Sequence, residues 1–168
     1  MATGEEVDGL YYPRRGAYSV EIRHARDLTR LDYRRIPESE SIFSISVELA
    51  RGCPYSCLSC MESYISKPYR PRDWRVVLSE VTGLHGKYGV RPALVALTAD
   101  AHPHFKDLLL EAVDKDVPLS LPSLRAELLD DEALELTAEV GQRTVTIAPE
   151  TSERLRKALG KDISDEEG

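Results

Sequence analysis

The chain has 168 residues, 42% hydrophobic and 30% charged, a balance that fits one globular domain with room for a sizeable core. No stretch approaches the roughly 20 apolar residues that span a bilayer, and the first residues form neither a basic nor an apolar leader, so the expected compartment is the cytoplasm. The net charge of −7 is uneven: residues 1–75 carry 12 cationic and 11 anionic side chains, whereas 76–168 carry 10 and 18, which argues against large phosphate-rich partners such as nucleic acid.

Residues 1–40 are rich in Arg, Tyr and acids and are punctuated by Pro13, Gly16 and Pro37. They read as an N-terminal arm or linker with a little β structure around Tyr18–Arg23. The pairs Arg14–Arg15 and Arg34–Arg35 and the run from Lys67 to Arg75 read as solvated loop charges. A different rhythm begins at 41 and runs to 168. Ile42–Leu49 is an apolar, β-branched run that ends at Arg51-Gly52, a strand followed by a loop. Arg72–Tyr88 reads as a helix, with Trp74, Val77, Leu78, Val81 and Leu84 at three- and four-residue steps and Asp73 near its start. Pro92–Thr98 is a second strand, followed by a loop holding His102 and His104 and by a helix from about Phe105 to Asp114. Val117–Leu121 is a short third strand, Asp130–Val140 a helix, Arg143–Ala148 a fourth strand, and Ser152–Leu159 the opening of a further helix. Strands alternating with helices predict an α/β chain with a parallel sheet and right-handed crossovers. Four strands with a last helix barely begun predict a fragment of a larger barrel, or one that closes against another chain.

All three cysteines fall within eight residues, in the loop after the first strand: Arg51-Gly-Cys-Pro-Tyr-Ser-Cys-Leu-Ser-Cys. An odd, clustered set without a leader argues against a disulfide framework and for ligation of a metal by thiolates. Three thiolates at Cys-x3-Cys-x2-Cys spacing can hold three corners of a 4Fe–4S cube and leave one iron open to a small chelating ligand. Gly52 permits a sharp exit from the strand and Pro54 stiffens the loop. Spacing alone leaves a structural zinc site as the alternative, with His85, His102 or His104 as fourth ligand. The bland reading of His102 and His104 is helix capping or solvent exposure. Tyr64 and Tyr69 read as packing residues beside the cysteine loop.

The motif at Cys53, Cys57 and Cys60, directly after a first strand, resembles the radical S-adenosylmethionine (SAM) superfamily. The phrases Glu48-Leu-Ala-Arg-Gly-Cys-Pro, Leu121-Pro-Ser-Leu-Arg and Thr146-Ile-Ala-Pro-Glu-Thr-Ser-Glu-Arg-Leu-Arg look like the branch with an N-terminal cobalamin-binding domain, related to methylthiotransferase and Elongator-type proteins. The likeness covers roughly 41–165, and 9–40 looks like the connector that follows the cobalamin domain. It implies a partial (β/α)6 TIM-like barrel of which about four βα units are present, with a 4Fe–4S cluster on Cys53, Cys57 and Cys60. It further implies SAM as cofactor, cleaved reductively to a 5′-deoxyadenosyl radical, with an electron donor of the flavodoxin or ferredoxin kind and an unidentified substrate.

By position the same likeness assigns SAM contacts to strand ends: Asp100 for the amino group, Ser123 and Arg125 after the third strand, with Arg125 pairing the carboxylate, and Glu150 for the amino group or ribose. If a cobalamin domain belongs to the full protein, methyl transfer to an unactivated carbon is the implied reaction. A cluster- or zinc-binding module without radical activity and an RNA-modifying methylthiotransferase-like enzyme are the rivals. The chain departs from the family pattern at Ser59, where an aromatic residue is usual, and in lacking a glycine after Glu150-Thr151. In place of a Gly-Gly-Glu-like stretch it has Thr98-Ala-Asp100.

Overall fold

The computed structural model describes residues 45–147, 150–161 and 163–164. The expected arm at 1–40 and the start of the first strand lie outside the described residues. The first strand emerges as β1 (Ser46–Glu48), and the apolar run after Tyr88 as β4 (Ala93–Val95). The two pair in parallel, with Ser46 opposite Ala93 and Glu48 opposite Val95, and the flanking bonds Ala93 N–H to Ile45 O and Leu49 N–H to Val95 O extend the ladder. Two strands joined in parallel need a long crossover, and α2 (Trp74–Tyr88) supplies it. Asp73 caps its start, Oδ1 accepting from the Arg75 N–H at 2.8 Å, and Gly89 ends it at φ 64°, the left-handed turn that glycine takes without strain.

Helix α2 lays Val77, Leu78, Val81 and Leu84 against the sheet, so the periodicity read from the sequence marks its buried stripe. Helix α3 spans Phe105–Asp114 and packs on both α2 and α4 (Asp131–Glu139) through Phe105, Leu108, Leu109 and Ala112. Asp130 caps α4 by accepting from the Ala133 N–H at 2.9 Å, and Lys106 reaches from α3 to Asp130 and Glu132 at 2.5 and 2.7 Å. Each Leu or Val removed from water in this layer contributes about 1.5–3 kcal/mol, which makes the helix layer the main apolar core.

The sheet is shorter than the sequence predicts. Stretch 117–121 joins β4 through one parallel bridge, Ala93 to Ser120, rather than as a full strand. Its outer edge is taken by other groups: Leu119 N–H binds Val140 O, Leu119 O accepts from the Arg91 guanidinium (Nε at 2.7 Å), and Leu121 N–H binds the Gln142 side chain. With those positions filled, 143–147 has little ladder left to join. It runs exposed and touches the neighbouring stretch through Leu124 N–H to Thr146 O at 3.4 Å. The expected fourth strand is therefore absent from the described residues 143–147. Helix α5 (Glu153–Ala158) follows as expected.

One pairing was not expected. β2 (Ala50–Arg51) and β3 (Arg70–Pro71) form an antiparallel pair that brackets the cysteine loop and the short helix α1 (Glu62–Ile65). Its effect is to return the chain to the sheet edge before α2 starts. No helix among the described residues is long and apolar enough to cross a membrane.

Candidate functional site

The cysteine loop leaves the sheet at Gly52, whose φ of +81° sets the sharp exit. Its position is fixed from several sides. The Tyr64 hydroxyl donates to Ser56 O at 3.0 Å, Lys67 Nζ donates to the Ser56 hydroxyl, and Leu58 N–H donates to Leu159 O at 2.9 Å. Tyr64 thus ties the loop down instead of merely packing beside it. Gly160, at the end of α5, presents its carbonyl to the Cys57 sulfur at 3.9 Å.

The three thiols are free, Cys53 and Cys57 buried and Cys60 exposed. They open on one cavity of about 330 Å3, and Ser59, Ser123, Arg125, Glu150 and Lys161 line it with them. Leu97, Leu124, Ile147 and Ile163 supply its apolar wall. Cys53 Sγ lies 3.5 Å from the Thr98 hydroxyl. Hydrogen bonds from Ser63 hold the Cys60 thiol below its ordinary range, which favours the thiolate that a metal requires.

Among the described residues, no three His, Cys, Asp or Glu side chains are gathered tightly enough to hold a single metal ion. Three free thiols lining one cavity are the donor set that a 4Fe–4S cluster takes from a protein when one iron is left open. The histidines that a zinc site would borrow are otherwise engaged. His85 Nδ1 meets Val90 O at 2.7 Å. His102 is buried, with Nε2 2.9 Å from Arg72 O and Nδ1 accepting from the His104 N–H, a pattern that fits a neutral ring. Burial also lowers its pKa. His104 Nδ1 lies 2.7 Å from Asp107. The expected capping or solvent exposure holds only for His104, which is exposed at the start of α3 without a side-chain cap bond; His102 is buried and bound to Arg72 O instead.

Of the SAM contacts expected from the sequence, Ser123, Arg125 and Glu150 reach the cavity and Asp100 stands behind its wall. Asp100 Oδ2 accepts from the Arg125 N–H at 2.5 Å, while Oδ1 is buried without a partner. Burial pushes its pKa up to about 6. Arg125 binds Glu127, Nε to Oε1 at 2.5 Å, and its guanidinium lies 3.8 Å from the centre of the Tyr55 ring. Glu150 pairs with Lys161 at 3.2 Å and sits at φ 69°. Sequence reasoning missed Tyr55, Glu127 and Lys161. The Arg-x-Glu spacing at Arg125 and Glu127 is too common a signal to have found them.

The raised carboxyl gives a pH prediction. Because folded Asp100 holds its proton up to about pH 6 and an unfolded carboxyl releases it near ~4, stability contributed here is present at acid pH and falls as pH rises through that window. Asp100→Asn keeps an acceptor for the Arg125 N–H and removes the charge. Urea unfolding at pH 4.5 and 7.0 is expected to show a smaller loss of stability with pH in the variant; an unchanged loss would assign that fall to other groups.

No family model matches the chain. An uncharacterized protein of Methanocaldococcus jannaschii is 32% identical over 165 residues, covering 94% of this chain and 36% of that protein. The chain thus spans about a third of the curated relative that it matches. Among solved structures, the radical SAM methyltransferase TsrM from Kitasatospora setae aligns with a TM-score of 0.60 at 23% identity, over 74% of this chain and 25% of that one. TsrM is known both with tryptophan and a SAM analogue and with cobalamin and a 4Fe–4S cluster. The cobalamin-dependent SAM radical enzyme OxsB aligns with a TM-score of 0.53 at 14% identity, over 74% of this chain and 21% of that one. At these identities the likeness is one of fold: across 74% of its length, this mixed α/β chain is built like part of TsrM and of OxsB.

Proposed function

We propose that this chain is part of a radical SAM enzyme, its parallel strand pair and crossover helix belonging to a partial (β/α)6 barrel in which 117–121 and 143–147 occupy the next strand positions without forming full strands, preceded by an arm at 1–40. Cys53, Cys57 and Cys60 hold a 4Fe–4S cluster, and SAM occupies the cavity beside it. The observation that carries this reading is that three cysteines at Cys-x3-Cys-x2-Cys spacing, in the loop that follows the parallel strand β1 and the short antiparallel β2, open on one cavity with residues of the later loops. The fold likeness to TsrM and OxsB supports it.

When bound, the cluster supplies the electron for reductive cleavage of SAM to a 5′-deoxyadenosyl radical, and an external flavodoxin- or ferredoxin-like donor replenishes it. The residues of the chain bind and shield. Ser63 favours the thiolate of Cys60. Ser123 and Arg125 face SAM from the third βα loop, with Arg125 as cation for its carboxylate, and Asp100 anchors that loop through the Arg125 N–H. Glu150 meets the amino group or the ribose, exchanging its bond to Lys161 for one to the ligand. Leu97, Leu124 and Ile147 keep water from the reacting atoms. In a full protein with a cobalamin domain, methyl transfer to an unactivated carbon follows.

A second reading, a cluster-binding module without radical activity, is favoured by the engagement of Arg125 with Glu127 and of Glu150 with Lys161. One anaerobic experiment separates the two. Reconstitution with iron and sulfide is expected to load a cluster with an electron paramagnetic resonance signal on reduction, and to lose it in Cys57→Ser. Dithionite with SAM is then expected to yield 5′-deoxyadenosine. An intact cluster without that product selects the module, and no cluster in the parent chain overturns both.

A further inference from the structure

Tyr55, Arg125 and Glu127 form a contact chain that joins two distant loops at the cavity wall. Tyr55 lies between Cys53 and Cys57 in the cysteine loop, and Arg125 and Glu127 follow the third stretch of the sheet. Glu127 holds Arg125 Nε at 2.5 Å, and both side chains are largely sequestered, 13% and 17% exposed. The guanidinium face rests on the Tyr55 ring at 3.8 Å, and Asp100 fixes the Arg125 backbone from behind. A planar cation gripped along one edge and laid on an aromatic face has little freedom left.

We propose that Arg125 is a positioning residue for the cysteine loop: held by Glu127 and seated on Tyr55, it orders the loop before any cofactor binds. The ordering does not depend on the cluster reading above.

The test uses the full chain without metal. Amide hydrogen exchange of residues 53–60 is expected to accelerate about tenfold in Arg125→Gln and in Tyr55→Leu, as loss of one such contact implies. Tyr55→Phe, which keeps the ring, is expected to restore slow exchange, and α2 and α3 are expected to exchange as in the parent. Unchanged exchange of 53–60 in Arg125→Gln and Tyr55→Leu overturns the proposal, whether or not the parent chain loads a cluster. Arg125→Lys, which keeps the charge and loses the planar fork, serves as the second variant if Arg125→Gln does not fold.

Discussion

Gly52→Ala is expected to abolish cluster uptake and to destabilise the chain by more than about 4 kcal/mol. A Cβ at this position would lie 2.4 Å from Ser66 O and 2.7 Å from Pro68 O, both backbone atoms that no rotamer change can move. The φ of +81° adds the usual penalty for an L side chain, about 1–2 kcal/mol. To relieve the contact, either the strand exit or the return segment before β3 must shift, and Cys53 is attached to that exit. Gly89→Ala is the matched control. It shares the left-handed conformation at φ +64°, but its added Cβ meets nothing within 4 Å. Urea unfolding is therefore expected to show a loss of about 1 kcal/mol for Gly89→Ala and several times that for Gly52→Ala. Equal losses would mean that the loop yields to the extra carbon.

Arg72→Met is expected to cost about 3–5 kcal/mol, the second large effect. Arg72 binds Glu80 with two parallel bonds of 2.9 Å, and its side chain is 0% exposed against 11% for Glu80. The same guanidinium donates to Glu48 O, its backbone N–H binds Leu49 O, and its carbonyl receives the His102 ring. It joins the end of β1, the face of α2 and the loop that precedes α3. Methionine fills much of the volume but leaves the Glu80 carboxylate sequestered without its cation. The double change Arg72→Met with Glu80→Leu is expected to recover at least about 1 kcal/mol of the loss, because an apolar pair of similar volume replaces a buried ion pair at little cost. A double variant no more stable than Arg72→Met would place the energy in the guanidinium's bond to Glu48 O instead.

Much of the helix layer was legible in the sequence because burial there is periodic. Val77, Leu78, Val81 and Leu84 fall on one face, and Asp73 and Asp130 stand where capping chemistry needs them. Phe105–Asp114 has the bounds the pattern gave it. The sheet was less legible. Arg143–Ile147 has the β-branched composition of a buried strand, but its pairing depends on whether the neighbouring edge is open. That edge is occupied by Arg91, Gln142 and Val140 O, residues that no local pattern links to it. The cysteines were legible through spacing, which is a property of one short stretch. The clamp of Tyr55, Arg125 and Glu127 was not, because its partners are brought together by the fold and carry no motif of their own.

The cavity wall also constrains the order in which this chain can fold. Cys57 and Gly160 meet across 103 positions of sequence, and the bond from Leu58 to Leu159 spans nearly as many. Contacts of that reach form after the local helices, since the entropy of closing so long a loop is repaid only when most of the core is in place. The enclosure around the thiols is thus completed in the last stages of refolding, while the cysteine loop itself is local and can present its sulfurs earlier. Metal offered at the start would meet an open loop of three thiols, and metal offered at the end a walled one. Under the proposed function, the route by which a cluster would load is in this sense a kinetic property of where α5 lies in the chain.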